Sequence, residues 1–398
     1  MSLLRSWWSH RQGLDGSLEG ASPADVIARA GWARSVGGVG PYLTLFARAG
    51  TSRADADAAV AALAIHELPS VRACTYVVPS DDFALALALA DAVGDQEMKG
   101  ALKLGVTERE IDALCTAVLT AVDKTPRSPD EIRSATGDAS RSLGDAGKKK
   151  GMGSTLPLAL GRLQRAGDLR RVPVNGRLDQ QRYGYVRWRP NPRKRAPFDA
   201  TEAYTALAER FFGWAGPATV AEWQWYSGLG VKASAAVLAR LGLVAATAGS
   251  DRLLLPGDAE ALRKFKAPKG AQYALVSSLD PLVATRRNLA SLLDDADRAR
   301  DVVNDKLPVS LGSLSDLPSH AIVDRGRVIG LWEFDPEAQQ LVWATFDGAR
   351  PAALRRVVER TEAYVRDELG DARSFSLDSP SSRKPRLRAL AAWEASGR

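Results

Sequence analysis

Thr107-Glu-Arg-Glu-Ile-Asp-Ala-Leu-Cys-Thr-Ala-Val-Leu-Thr-Ala-Val122 opens with a capping box and continues with a helical apolar period. The Thr107 hydroxyl and the Glu110 carboxylate can each satisfy an orphan amide of the first turn. Behind them Ile111, Leu114, Cys115, Val118, Leu119 and Val122 recur on one helical face, which predicts an amphipathic helix. Ser128-Pro-Asp-Glu131 repeats the signal with Pro129 at the first helical position, so a short second helix follows. A loop from Gly137 to Gly153 carries Lys148, Lys149 and Lys150. The third helix is predicted from about Thr155 to Ala166, burying Leu156, Leu160 and Leu163 and leaving Arg162 and Arg165 outward. After Gly167 the period becomes strand-like. Leu169 to Val174, the Asn175-Gly176 turn signal and Tyr183-Gly-Tyr-Val-Arg-Trp188 predict a hairpin with a long tip.

Three helices and a hairpin are the order of a winged helix, which presents its third helix and its wing to DNA. Past the linker Pro190-Asn-Pro-Arg-Lys-Arg-Ala-Pro197 the order recurs. Tyr204, Leu207, Ala208, Phe211 and Phe212 make one helical stripe, Thr219-Val-Ala-Glu222 caps a second helix, Val231 to Leu241 gives a third, and Leu243 to Leu255 a hairpin. Trp223, Trp225 and Tyr226 could stack on unpaired bases; their helical spacing assigns them to the core. The first 100 residues, mostly helical with a β-like run from Arg72 to Val78, suit a degenerate first copy. Short strands (321–323, 327–332, 341–346) and a helix from Ala352 to Leu369 follow the repeats. The expectation is an α+β, predominantly helical chain of tandem winged-helix modules around a concave channel, divided at 1–100, 101–190, 198–256 and 257–398.

The charge is concentrated. Residues 148–195 hold 14 Lys and Arg against two acids, Asp168 and Asp179, in a chain whose net charge is +7, so the remainder is net acidic. A localised basic face is the electrostatic footprint of phosphate binding. It makes Lys148, Lys149, Lys150, Arg162, Arg165, Arg170, Arg171, Arg177, Arg182 and Arg187 the candidate nucleic-acid contacts, with duplex DNA as partner. The tail Arg383-Lys-Pro-Arg-Leu-Arg388 is a further source of phosphate contacts. Apolar residues at 45% and charged ones at 25% are those of a globular chain. Cys74 and Cys115 lack metal-ligand spacing and read as inert thiols of a reducing compartment. His10, His66 and His320 are scattered, so neither a metal nor a cofactor is expected. Asp81-Asp82 reads as a helix N-cap. The longest apolar run, Phe83 to Val93, is broken by Asp91 and is too short to span a bilayer. A monomeric, cytoplasmic, nucleoid-associated protein is expected.

Five stretches carry a resemblance: Arg11-Gln-Gly-Leu14, Pro41-Tyr-Leu-Thr-Leu-Phe-Ala-Arg48, Gly216 to Leu229, Leu279-Asp-Pro-Leu-Val-Ala-Thr-Arg-Arg287 and Val323 to Trp332. In their order the chain resembles the AlkZ/YcaQ-type winged-helix proteins. The resemblance implies three tandem winged helices around a DNA-sized channel, and kinship with monofunctional DNA glycosylases that unhook bulky alkyl adducts and interstrand crosslinks. It also implies a catalytic Gln-apolar-Gln or Gln-apolar-Asp triplet shortly before the Pro-Tyr-Leu run, positioning a water at the anomeric carbon. Counted back from Tyr42, that triplet falls on Arg34, Ser35 and Val36. Arg34 offers donors only, Val36 is apolar, and no Gln or Asp lies between Ile27 and Thr51.

The reading these features favour is a catalytically divergent DNA-binding relative of the crosslink and alkyl-adduct glycosylases. An active glycosylase with other catalytic residues is the alternative, and a protein- or small-molecule-responsive relative is a third.

Overall fold

Local signals place the helices. In the computed structural model, which describes residues 2–304 and 307–396, capping boxes form at Thr107 and Glu110, at Ser128 and Glu131, and at Thr219 and Glu222. A fourth, unforeseen, joins Asp199 and Glu202. The helices they open are Glu108–Ala121, Pro129–Thr136, Val220–Ser227 and Ala200–Ala215. Ile111, Leu114, Cys115 and Val118 are buried along the inner face of the first.

One element order occurs three times. The third copy runs helix Ala200–Ala215, strand Ala218–Thr219, helices Val220–Ser227 and Val231–Leu238, then strands Val244–Ala245 and Arg252–Leu254. Its last strand lies between the other two. The N-terminal copy is complete rather than degenerate. Helix Pro23–Ala30, strand Ala33–Arg34, helices Gly40–Ala49 and Arg53–Ala61, and strands Ile65–Pro69 and Thr75–Pro79 repeat the order, and again the last strand is central. In the middle copy the first strand is reduced to a bridge between Arg127 and Tyr185. Helix Leu156–Arg165 precedes its hairpin, Leu169–Pro173 paired with Tyr183–Arg187.

Beyond the repeats, Tyr273–Val276, His320–Asp324, Arg327–Asp335 and Gln340–Thr345 form one antiparallel sheet. Helices Ala352–Tyr364 and Pro380–Ser396 accompany it, and Asp301–Asn304 pairs with Leu307–Ser310. The middle copy has its own core, from Met98 to Leu169. The first and third copies share one, in which Ile27, Leu43, Phe211 and Trp223 meet Leu354 and Val365. Helix Ser2–Arg11 puts Trp7 and Trp8 with the C-terminal sheet.

Two local expectations are corrected. Asp82 stands at the N-cap position of the Phe83–Leu89 helix, but its side chain makes no capping bond. Its buried carboxylate accepts from Trp32 Nε1 at 2.9 Å and pairs with Arg210 at 3.2 Å. Two of the four cations of the basic tail are shut away from phosphates. Arg383 is wholly buried 2.7 Å from Asp371, and Arg386 lies 2.7 Å from both Glu333 and Asp378. A guanidinium shut away from water needs such partners. Trp223 and Tyr226 are core residues, while half-buried Trp225 is covered by the Arg72 guanidinium at 4.0 Å.

Candidate functional site

The turn after the Ala33–Arg34 strand is held from two sides. Ser35 N–H donates to Thr75 at 2.9 Å, and the Val36 carbonyl accepts from Ser376 N–H at 3.0 Å. Val39 N–H donates to the Arg373 carbonyl at 3.0 Å, and Arg373 Nε donates to Gly37 at 2.9 Å. The glycines here are required by close approach. A Cβ on Gly38 would lie 2.2 Å from the Ser374 carbonyl, and one on Gly37, at φ +76°, would lie 2.6 Å from the Gln181 side chain. Segment 373–376 therefore crosses directly over the turn.

This crossing forms one wall of a cleft of about 470 Å³, which Arg34, Val36, Ser278, Asn304, Asp316, Ser374 and Phe375 help to line. Ser35 between the two lining positions is buried. Arg34 Nη1 is 3.9 Å from Asp316 Oδ1, the outer limit of an ion pair, and Arg34 Nε is buried without a hydrogen-bond partner. The Ser278 hydroxyl donates to Ser374 Oγ at 2.9 Å, and Ser278 N–H donates to His320 Nδ1 at 3.0 Å. His320 Nε2 faces the Ala372 carbonyl at 2.7 Å. A carbonyl only accepts, so Nε2 carries the proton. Burial first, despite that hydrogen bond, pushes His320 down to about 4, so the ring is a neutral brace under the cleft wall. Asp316 is the one carboxylate among the cleft-lining residues, and it is half exposed.

Behind the cleft the quoted motifs converge. Arg48 and Asp280, both fully buried, form a bidentate pair with two contacts of 2.8 Å. Arg48 Nε donates to the Gln12 carbonyl at 2.8 Å, and Arg11 donates to the Gly213 carbonyl. Glu222 lies 3.0 Å from Arg252 and 3.6 Å from Arg286. Burial would raise its carboxyl, but Arg286 and Arg252 hold it below the ordinary carboxylate range. The Arg286 guanidinium covers the Trp8 ring at 3.8 Å. These motifs staple helix Ser2–Arg11, the first and third repeats and the C-terminal portion together.

The sequence model described as DNA glycosylase AlkZ-like matches residues 39–375. The chain belongs to the AlkZ-like DNA glycosylase family. Among solved structures the fold is similar to the Streptomyces sahachiroi DNA glycosylase AlkZ, with a TM-score of 0.68 and 19% identity, over 94% of this chain and 98% of that one. No curated protein matches the sequence. The family places DNA as the substance this fold acts on.

The candidate basic residues do not gather as one free face. Arg162 pairs with Glu108 and Asp112, Arg165 with Glu97 and Lys148 with Asp145. Arg171 lies 3.3 Å from buried Glu67 and 4.5 Å over the Tyr183 ring, inside the junction of the first and second repeats. His66, at that junction, is pushed down to about 3 by burial and by Arg170 and Arg171. Arg177 is bidentate to Asp179 and donates to the Leu369 carbonyl. Arg170 and Arg187 are half-buried. Lys149, Lys150 and Arg182 are exposed and make no ion pair among the described residues. Most of the neutralising acids lie outside 148–195, where a count along the segment misses them. The hairpin tip is not a free loop either. Leu178 is fully buried in the shared core and its N–H donates to Tyr42 Oη at 2.9 Å, so shortening the tip from Asn175 to Gln181 would open that core.

Cys115 is buried and burial pushes its thiol up to about 11; Cys74 is half-buried and also free. Among the described residues no group of three or more His, Cys, Asp or Glu could hold a metal ion, and no helix is long and apolar enough to cross a membrane.

Proposed function

We propose that this chain is a DNA-binding, catalytically divergent member of its family, and that its three repeats are winged helices set at 1–100, 101–190 and 198–256 around a concave channel, with 257–398 packed on the third. The repeated order of helix, strand, two helices and hairpin supports the winged-helix reading. The observation that carries the divergence is that Arg34 and Val36 line the 470 Å³ cleft, where a glycosylase of this kind needs groups that orient water. Neither side chain can accept a hydrogen bond from it.

Binding is assigned to duplex DNA by a monomer, through the segment 148–195. Of the ten candidate residues, Lys149, Lys150 and Arg182 are exposed and make no ion pair among the described residues; Arg189, Lys194 and Arg195 of the same segment share that state. Lys148, Arg162 and Arg165 would exchange exposed carboxylates for phosphates, and Arg170, Arg171, Arg177 and Arg187 orient the hairpin. The affinity of the chain for a duplex should fall steeply with salt, because each neutralised phosphate releases counterions at a slope of about −0.9. Replacing Lys149, Lys150 and Arg182 together by alanine should reduce the slope by about 2 to 3. An unchanged slope in a salt titration of the triple variant would move the interface off these three residues.

One observation favours a second reading, an active glycosylase. Asp316 presents a carboxylate to the cleft beside Arg34, and a carboxylate can take a proton from water. Excision by the native chain that disappears in Asp316→Asn would establish it.

A further inference from the structure

Phe375, which lines the cleft, is 42% exposed, and two residues further on Leu377 is 82% exposed. Single apolar side chains on a surface are ordinary. These two differ because the loop that carries them is organised from within. Ser376 N–H is fixed to the Val36 carbonyl, Asp378 N–H donates to Phe375 at 3.0 Å, and Ser379 N–H donates to Leu377 at 3.0 Å. The buried Asp378 carboxylate accepts from Ser374 N–H at 3.0 Å and from Arg386 at 2.7 Å. The backbone is thus braced on both sides of a leucine that touches little but water.

An apolar side chain on a rigid mount is what kinks and unstacks a duplex, because it replaces a base as stacking partner for its neighbours. The nucleotide it displaces needs a place to go. The adjacent cleft is within the size range of small-molecule sites. Phe375 offers an aromatic face to a base. Asp316 and Asn304 offer acceptors suited to an exocyclic amino group, and the Ser278 and Ser374 hydroxyls can turn to either role. Arg34 supplies donors to carbonyl or phosphate oxygens.

Resting on the DNA-binding reading above, we infer that Leu377 is a wedge that enters the base stack of duplex DNA, and that the cleft lined by Arg34, Phe375 and Asp316 receives the nucleotide it pushes out. The site reads the cost of extrusion, so it favours positions where pairing is already weak.

The test uses the full chain and a duplex with 2-aminopurine at its centre, a base that brightens when unstacked and carries an exocyclic amine. Anisotropy of an end label reports binding separately. At saturation the native chain should raise the 2-aminopurine emission several-fold, and should bind a duplex mismatched at that position about tenfold more tightly than the matched one. Leu377→Ala should bind the matched duplex within about threefold of the native chain, as expected of one exposed side chain, while the emission stays near that of free duplex. Val36→Phe, which fills the cleft floor and leaves the wedge in place, should also suppress the emission. Saturated binding without a rise in the native chain, or a rise that survives Leu377→Ala, overturns the wedge and leaves the DNA-binding reading standing. Absence of binding to any duplex overturns both.

Discussion

Replacing Asp280 by alanine should remove about 3–5 kcal/mol of stability, the cost of leaving a buried guanidinium without its counter-charge. Arg48 and Asp280 have no solvent exposure and share two contacts of 2.8 Å, so water cannot take the place of the lost carboxylate. Asp280 also accepts from Leu282 N–H at 2.9 Å at the start of the Pro281–Ala284 helix, and that amide would be orphaned with it. The double variant Arg48→Met with Asp280→Leu should recover much of the loss, because two apolar groups of similar volume need neither charge nor partner. Equilibrium denaturation of Arg48→Met, Asp280→Leu and their combination gives the coupling directly. Additive losses would mean that the pair contributes no more than two separate packing defects.

That pair shows where sequence reading reaches its limit. Arg48 and Asp280 stand in two of the stretches that carried the family resemblance, yet their separation along the chain hides that they touch. Signals that act within a few residues were legible. The capping boxes at Thr107, Ser128 and Thr219 each formed, because donor and acceptor are set by helix geometry alone. The hairpin strands from Leu169 and Tyr183 appeared where alternation placed them. The N-terminal repeat was legible only as a degenerate copy, because its helices lack the Ser/Thr-x-x-Glu signature: Ser22 and Ser52 are followed by Asp25 and Asp55, and Gly40–Ala49 has no side-chain cap. Charges were misjudged because their partners are distant in sequence. Glu67, Glu97, Glu108 and Asp112 reach the basic segment through tertiary contacts, and no window along the sequence includes them. The reason for Gly38, the backbone of Ser374 crossing above it, exists only in the fold. The candidate cleft was legible as far as Arg34 and Val36; its far wall, from Ser278, Asn304, Asp316 and Phe375, was not.

The native chain should show no detectable excision of alkylated bases from a duplex, and the variant Arg34→Gln with Val36→Gln should acquire it. Hydrolysis of a glycosidic bond passes through a cationic sugar and needs a group that orients water and a negative or dipolar environment for the cation. Arg34 at the cleft wall supplies the opposite sign. Two like unit charges at ~4 Å repel by roughly 4 kcal/mol at an effective dielectric of ~20, which is about three decades in rate. Asp316, 3.9 Å from Arg34 Nη1, offsets part of that repulsion but is tied to the cation while it does so. Removing the arginine therefore acts twice. It deletes the opposing charge and frees Asp316 to face the sugar, while two carboxamides restore lone pairs that can hold a water. Release of base from a duplex containing an alkylated purine, followed by strand scission at the abasic product, measures the outcome. Robust turnover by the native chain would falsify the divergence, and its loss in Asp316→Asn would move the catalytic role to that carboxylate. Silence in both the native chain and the double variant would place the missing chemistry elsewhere in the cleft than positions 34 and 36.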